Sequence, residues 1–95
     1  MCIKFSVLKK KSTIAIIGLG YVGLPLAVAF ASKYQVIGFD INTKRIAQLQ
    51  KGNDTTLEVS SKELTNALDD SSGNGLIVTG EVSDINKADV YIITV

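Results

Sequence analysis

The chain contains no histidine, no tryptophan and a single cysteine, Cys2. A lone cysteine cannot form an internal disulfide, and without histidine the sequence offers no cluster of metal ligands, so we expect no metal site. No apolar run reaches the length of a membrane span, and the N-terminus lacks the hydrophobic region and cleavage site of a secretory signal. These absences predict a protein of the reducing cytoplasm with no membrane association.

Charge of one sign is also lacking. Ten Lys and Arg residues stand against nine Asp and Glu residues, which gives a net charge of +1. Nothing in this balance favours nucleic acid or an anionic membrane as a partner. With 46% hydrophobic and 20% charged residues in 95 positions, the composition is that of one small globular domain or part of one. The apolar run at residues 90–95 closes the chain, and we expect a fragment of a longer enzyme.

A glycine-rich motif organises the chain. Thr13–Ile17 is a β-branched apolar run typical of a buried parallel strand, and residues 18–23, GLGYVG, fit the pattern G-x-G-x-x-G. Every residue at positions 24–31 is apolar, which predicts a buried helix. A lone G-x-G-x-x-G is a weak signal, but between such a strand and such a helix it indicates dinucleotide binding. The alternative is a glycine-rich turn in some other α/β protein.

Each residue of the motif has a predicted task. Gly18 allows the tight turn out of the strand, and Gly23 lets the helix pack close to it. Gly20 lacks a Cβ, so that a pyrophosphate approaches the backbone closely. The N–H groups around Tyr21 and Val22 then face the phosphates, with the helix dipole adding to the attraction.

An acidic residue follows at a suitable distance. Asp40 ends the predicted strand Gln35–Phe39 and lies 17 residues after Gly23 (40 − 23), where an acid that binds the adenosine ribose is expected. Its alternative role is that of a turn or helix N-cap aspartate. Arg45, five residues further on, is predicted either to contact the adenine or the ribose or to be a solvated helix charge.

The remaining pattern predicts alternating strands and helices. We expect an α/β fold, a Rossmann-type doubly wound parallel sheet that is truncated, with element order β-α-β-α-α-β-β and strand order 3-2-1-4. This order places Gly18, Asp40 and Val95 at one rim, at the carboxyl ends of the strands. Residues 1–12 are an N-terminal extension whose pattern fits a strand or a helix, and residues 13–95 are the first part of the dinucleotide-binding domain. The other predicted elements are helices 24–31, 44–51 and from Ser60 or Ser61 to 68, strands 76–78 and 90–95, and a turn or short helix at 81–87.

The motifs resemble a known family. Residues 16–27, IIGLGYVGLPLA, followed by GFDIN at 38–42 and by Arg45-Ile46, are similar to the N-terminus of the UDP-glucose/GDP-mannose dehydrogenases. The resemblance covers residues 13–95. The loop at 52–56, GNDTT, together with Glu58, looks most like the UDP-N-acetylhexosamine 6-dehydrogenases of surface-polysaccharide synthesis.

The resemblance implies oxidation of the C6 alcohol of a nucleotide sugar to a carboxylate with two NAD⁺, in a homo-oligomeric enzyme. It places the catalytic cysteine and most of the nucleotide-sugar site in later domains, so that Cys2 is not the nucleophile and the chain alone is expected to be inactive. Other readings are a UDP-glucose or GDP-mannose 6-dehydrogenase, an NAD-sensing regulatory domain such as those attached to potassium transporters, and a structural domain without a ligand. What carries over to this chain is half of the NAD site: Gly18, Gly20, Tyr21, Val22 and Gly23 for the pyrophosphate, Asp40 and Arg45 for the adenosine ribose, and Val95 near the adenine.

Overall fold

The computed structural model describes residues 12–56, 58–68 and 74–94. Its elements follow the predicted order, and their ends lie within two residues of the predicted ones. A 3₁₀ helix at Val82–Ile85 fills the segment predicted as a turn or short helix. The strands are β1 (Thr13–Ile17), β2 (Gln35–Phe39), β3 (Gly75–Thr79) and β4 (Val90–Ile93), and the helices are α1 (Gly23–Ala31), α2 (Thr43–Gln50) and α3 (Ser61–Leu68).

The four strands form one parallel sheet in the order β3-β2-β1-β4, which confirms the predicted topology. Ile14 of β1 lies opposite Val36 of β2 on one side and Val90 of β4 on the other. The register is therefore in step across the sheet, and the carboxyl ends of the strands meet at one rim.

Successive side chains along each strand point to opposite faces of the sheet, and the two faces pack differently. One face meets all three helices, because their apolar stripes and the alternate strand residues form a single core. The other face holds a smaller cluster in which Ile85 of the 3₁₀ helix packs on Ala15 and Phe39. Ile77 and Ile93 on this second face are each 49% exposed, so within the described residues the helical layer covers one face only. The larger core comprises Ile14, Ile16, Leu19, Leu24, Ala27, Ala31, Val36, Ile46, Leu49, Val59, Leu64, Ala67, Leu76, Val78, Val90 and Ile92.

Local signals in the sequence explain the helix ends. The Asn42 side chain accepts hydrogen bonds from the backbone N–H groups of Lys44 and Arg45 and so caps α2. Ser60 caps α3, since its hydroxyl accepts from the Glu63 N–H at 3.1 Å while also contacting the Glu63 carboxylate. Pro25 is the third residue of α1, where a missing N–H breaks no intrahelical hydrogen bond.

Some predictions concern parts of the chain that the structure does not describe. The N-terminal extension, except for Ser12, and the predicted cofactor contact Val95 lie outside the described residues. Within the described ranges, no helix has the length and apolar character needed to span a membrane. The same ranges contain no group of three potential metal ligands.

Candidate functional site: the glycine turn and the carboxyl rim of the sheet

Three chain segments leave the sheet at the same rim. The Gly18 N–H donates to the Phe39 carbonyl at 2.8 Å, and the Asp40 N–H donates to the Thr79 carbonyl at 3.2 Å. On the other side the Thr94 N–H donates to the Ile17 carbonyl at 3.0 Å. The structure thus brings the predicted residues Gly18 and Asp40 together and adds Thr94 beside them.

The first and third glycines of the motif form the packed side of the turn. Gly18 has φ +101°, a conformation that favours glycine, and a Cβ there would lie 2.6 Å from the Thr94 hydroxyl oxygen. A Cβ on Gly23 would lie 1.7 Å from the carbonyl oxygen of Gly18. Both glycines are therefore required for α1 to pack against the end of β1, as the sequence predicts.

The middle of the motif forms the open side of the turn. A Cβ built on Gly20 would meet nothing within 4 Å, and Tyr21 and Val22 are 68% and 49% exposed. We call residues 20–22 the crest. Helix α1 starts directly after it, with no side-chain cap on its N-cap residue Val22 and no acidic residue in its first turn. The free N–H groups and the dipole of such a helix end favour an anion.

Thr94 supports the turn from β4, and sequence reasoning did not single it out. Its hydroxyl donates to the carbonyl oxygen of Gly18 at 2.9 Å, so that it holds the residue whose conformation shapes the turn. The two residues are 76 positions apart, and no local motif signals the contact. Only the pairing of β4 with β1 brings them together.

A closed ring of hydrogen bonds ties the turn to the start of α2. Asp40 accepts from the Leu19 N–H through Oδ2 at 3.0 Å and from the Asn42 N–H through Oδ1 at 2.9 Å. The Asn42 side chain accepts from the Arg45 N–H, and the Arg45 Nε donates back to the Leu19 carbonyl at 2.9 Å. Leu19 is therefore held at both its N–H and its carbonyl group.

Asp40 has the turn role that the sequence offered as one alternative, and its geometry leaves room for the other. Its bond to the Asn42 N–H is that of a turn aspartate. Among the residues that the structure describes, each carboxylate oxygen accepts one hydrogen bond and retains a lone pair for a further donor. Asp40 can therefore shape the turn and still accept from ribose hydroxyls.

Arg45 does not lie in solvent, so its interpretation as a solvated helix charge is wrong. Its side chain is 9% exposed, and its Nη1 donates to the Asp54 carboxylate at 2.7 Å. Arg45 lies in the first turn of α2, and its side chain bridges Leu19 of the glycine turn and Asp54 of the loop that follows α2. Its Nη2 is buried and has no hydrogen-bond partner among the described residues.

Asp54 is the partner that sequence reasoning missed. Besides Arg45, its oxygens accept from the backbone N–H groups of Thr56, Glu58 and Val59 and from the Thr56 hydroxyl. Burial by itself raises the pKa of Asp54, but the hydrogen bonds from Thr56 and Arg45, with further bonds from backbone N–H groups, outweigh it and lower the pKa well below its usual range. Asp54 is therefore ionised at neutral pH and fixes the loop that follows α2.

A cleft of about 190 Å³ opens at the rim beside the turn. Its walls combine apolar surface with the single carboxylate of Asp40, and Ile41 at its mouth is 85% exposed. Apolar walls for a base and a carboxylate for a ribose fit the adenosine half of a dinucleotide, next to the crest that suits its pyrophosphate. The cleft is lined by Ile17, Gly18, Phe39, Asp40, Ile41 and Thr94.

A parallel sheet in the order 3-2-1-4, with this turn and this acid at its carboxyl rim, defines the chain as part of a Rossmann-type dinucleotide-binding domain. Comparison with known families agrees. Residues 12–95 match the family model described as the UDP-glucose/GDP-mannose dehydrogenase family, NAD binding domain. The chain belongs to this family, and its cofactor is NAD.

Individual relatives lie within the same family. The chain is 49% identical over 86 residues to UDP-N-acetyl-D-glucosamine 6-dehydrogenase of Pseudomonas aeruginosa, an alignment that covers 90% of this chain and 19% of that protein. Among solved structures it is similar to a UDP-D-ManNAc dehydrogenase from Pyrococcus horikoshii, with TM-score 0.78, 40% identity and coverage of 87% and 20% of the two chains. It is also similar to a UDP-glucose dehydrogenase from Pyrobaculum islandicum, with TM-score 0.71, 31% identity and coverage of 90% and 20%. The chain thus spans about a fifth of the length of these relatives.

Proposed function

We propose that this chain is the N-terminal, NAD-binding part of a nucleotide-sugar 6-dehydrogenase. The reaction would oxidise the C6 alcohol of a UDP-N-acetylhexosamine to a carboxylate. Two hydrides pass to two NAD⁺, one water supplies the second carboxylate oxygen, and three protons are released, so that the electrons and atoms balance. The relatives support the acetylated sugar, since identity falls from 49% and 40% for the N-acetylhexosamine enzymes to 31% for the UDP-glucose enzyme.

The single observation that carries the proposal is the crest. Gly20 faces open space, and the uncapped start of α1 lies directly behind it. In this proposal the N–H groups of residues 20–23 bind the pyrophosphate, Gly18 and Gly23 shape the turn, and Asp40 accepts from the adenosine ribose. Bound NAD⁺ supplies the hydride acceptor, and the residues of this chain bind and orient it.

The two remaining predicted contacts have different support. Arg45 is proposed to contact the adenosine ribose, and its Nη2, which has no hydrogen-bond partner among the described residues, is the nitrogen available for this, since Nη1 binds Asp54 and Nε binds Leu19. Val95, predicted near the adenine, lies outside the described residues, but the neighbouring Thr94 lines the cleft. No catalytic residue is assigned to this chain.

The setting of the enzyme is proposed on the same grounds. We place the protein in the cytoplasm, in line with its composition, as a homo-oligomer that makes uronates for surface polysaccharide. Later domains would bind most of the nucleotide sugar. UDP-N-acetylgalactosamine and UDP-N-acetylglucosamine are the two substrates that we expect first.

The test is the amount of NADH that the full-length protein forms per nucleotide sugar. UDP-N-acetylglucosamine, UDP-N-acetylgalactosamine and UDP-N-acetylmannosamine would be compared with UDP-glucose and GDP-mannose. We expect two NADH per sugar with at least one acetylated substrate. A preference for UDP-glucose or GDP-mannose would identify the enzyme as a UDP-glucose or GDP-mannose 6-dehydrogenase of the same family. NAD binding without NADH formation from any sugar would support an NAD-sensing domain instead.

A further inference from the structure

The peptide group between Gly18 and Leu19 begins the glycine turn, and it is held at both ends. Its carbonyl oxygen, on Gly18, accepts from the Thr94 hydroxyl at 2.9 Å. Its N–H, on Leu19, donates to Asp40 Oδ2 at 3.0 Å. Thr94 follows β4 and Asp40 follows β2, so the two strands that flank β1 hold one peptide group between them.

The Thr94 hydroxyl has one proton to donate, and two carbonyl oxygens lie near it. The oxygen of Gly18 lies at 2.9 Å and that of Ile17 at 3.3 Å. The Ile17 carbonyl also accepts from the backbone N–H of Thr94 at 3.0 Å. The shorter distance to Gly18 and the second donor at Ile17 both assign the hydroxyl proton to the Gly18 carbonyl.

The glycine at position 18 makes this peptide group easy to rotate. A Cβ on Gly18 would lie 2.6 Å from the Thr94 hydroxyl oxygen, so the packing excludes a side chain there. Without a Cβ, few sterically forbidden conformations limit rotation about the backbone bonds of a glycine, and these rotations orient the peptide group that follows. The hydrogen bonds from Thr94 and to Asp40 therefore supply the restriction that a side chain would otherwise give.

The orientation of this peptide group bears directly on the crest. The chain passes from Leu19 straight into residues 20–23, whose N–H groups are proposed to bind the pyrophosphate. Rotation of the preceding peptide group would turn these N–H groups away from a common point. Donors that are fixed before the ligand arrives bind it more tightly, because less conformational entropy is lost on binding.

We propose that Thr94 is a positioning residue for the pyrophosphate, and that its hydroxyl, by fixing the Gly18–Leu19 peptide group together with Asp40, keeps the N–H groups of the crest in their binding arrangement. The proposal rests on the NAD site proposed above. Thr94 acts through Gly18, so its effect falls on the diphosphate of the cofactor rather than on the adenosine.

The test measures NAD⁺ binding by calorimetry for variants of the full-length protein. Thr94→Val exchanges the hydroxyl for a methyl group of similar size, and we expect the dissociation constant to rise at least about fivefold. Thr94→Ser and Thr94→Ala are a second pair, which differs only by the hydroxyl. The first should stay within about twofold of the wild type, and the second should lose as much affinity as Thr94→Val. Thr65→Val, at an exposed position of α3, is the matched control and should bind NAD⁺ as the wild type does.

Two smaller ligands identify the part of the cofactor that is affected. ADP carries the diphosphate and adenosine does not, and both can be measured in competition with NAD⁺. We expect Thr94→Val to weaken ADP at least about fivefold and adenosine less than about twofold. In the NADH-forming reaction, the KM for NAD⁺ should rise while the KM for the nucleotide sugar stays unchanged.

Equal weakening of ADP and adenosine would show a general loss of structure or a direct contact in the cleft, and would overturn the proposal. If thermal unfolding shows that Thr94→Val does not fold, the comparison of Thr94→Ser with Thr94→Ala decides. Equal NAD⁺ affinities in these two variants would likewise overturn the proposal. Failure of the wild type to bind NAD⁺ would refute the proposed function and, with it, this role of Thr94.

Discussion

The packed side of the glycine turn and its crest differ in how much space surrounds their glycines. Gly18 and Gly23 leave no room for a side chain, since a Cβ would lie 2.6 Å and 1.7 Å from the nearest atoms. Gly20, between them, has nothing within 4 Å. The packing of the fold therefore explains two glycines of the motif, and the proposed pyrophosphate site would explain the third. Substitutions at the two sides should separate stability from binding.

The largest effect is expected on the packed side. Gly23→Ala places a methyl group against the backbone oxygen of Gly18, which cannot move aside as a flexible side chain does. We expect a loss of roughly 4 kcal/mol or more in the free energy of unfolding, a large share of the stability of a small domain. Urea denaturation followed by circular dichroism measures it. A loss below about 1 kcal/mol would mean that α1 does not pack on β1 as described.

The contribution of Asp54 to the stability of the fold should be lost in acid. The pKa of Asp54 is lowered in the folded state, so its contribution to stability is present above the unfolded pKa of about 3.9 and is lost as the pH falls towards the folded pKa. We expect this carboxylate to account for about 2 kcal/mol of the acid loss below pH 4. Thermal unfolding across pH 2.5–7 should show a flatter acid limb in Asp54→Asn than in the wild type. Parallel acid limbs would contradict the buried pair with Arg45.

On the crest, the effect should fall on binding alone. Gly20→Val places a branched side chain where the pyrophosphate is proposed to lie, without touching the protein. NAD⁺ affinity should fall at least about tenfold, or 1.4 kcal/mol, with little change in unfolding temperature. Ala29→Val, at an exposed position of α1, is the matched control and should leave NAD⁺ affinity unchanged. Normal NAD⁺ binding by the Gly20→Val variant would show that the pyrophosphate does not lie on this turn.

The smallest effect concerns the acid beside the turn. Wild-type protein should prefer NAD⁺ to NADP⁺, because Asp40 would meet a 2′-phosphate with like charge, and Asp40→Asn should narrow this preference by about 1 kcal/mol. Asp89→Asn makes the same change in charge at the opposite end of the sheet, where Asp89 accepts from the Thr13 N–H. A calorimetric comparison in which both variants narrow the preference equally would assign it to net charge rather than to Asp40.

Local patterns predicted the fold well. β-Branched runs between turn residues gave β1 and β2 with their observed ends, and Asn42 and Ser60 marked the starts of α2 and α3. In the site, Gly18, Gly20, Gly23 and Asp40 could be predicted because they lie within 23 residues of one another and their spacing is set by one strand-helix-strand unit.

Contacts between distant segments could not be predicted in the same way. The support of Gly18 by Thr94 depends on the pairing of β4 with β1. In the sequence, Arg45 is a basic residue in a predicted helix of mainly polar residues, and such a residue is typically a solvated charge. Its burial follows from Asp54, whose position depends on the path of a loop with no periodic pattern. Thr94, Arg45 and Asp54 hold the glycine turn through contacts that no sequence motif or periodic spacing predicts.

The most direct test of the central claim is a titration of the protein with NAD⁺ followed by amide chemical shifts. If the crest binds the pyrophosphate, the largest changes will occur at the N–H groups of residues 20–23. Smaller changes are expected at Asp40 and Ile41 beside the cleft, and none at Asp89 at the far end of the sheet. Changes confined to the cleft, with the amides of residues 20–23 unmoved at saturation, would contradict the account.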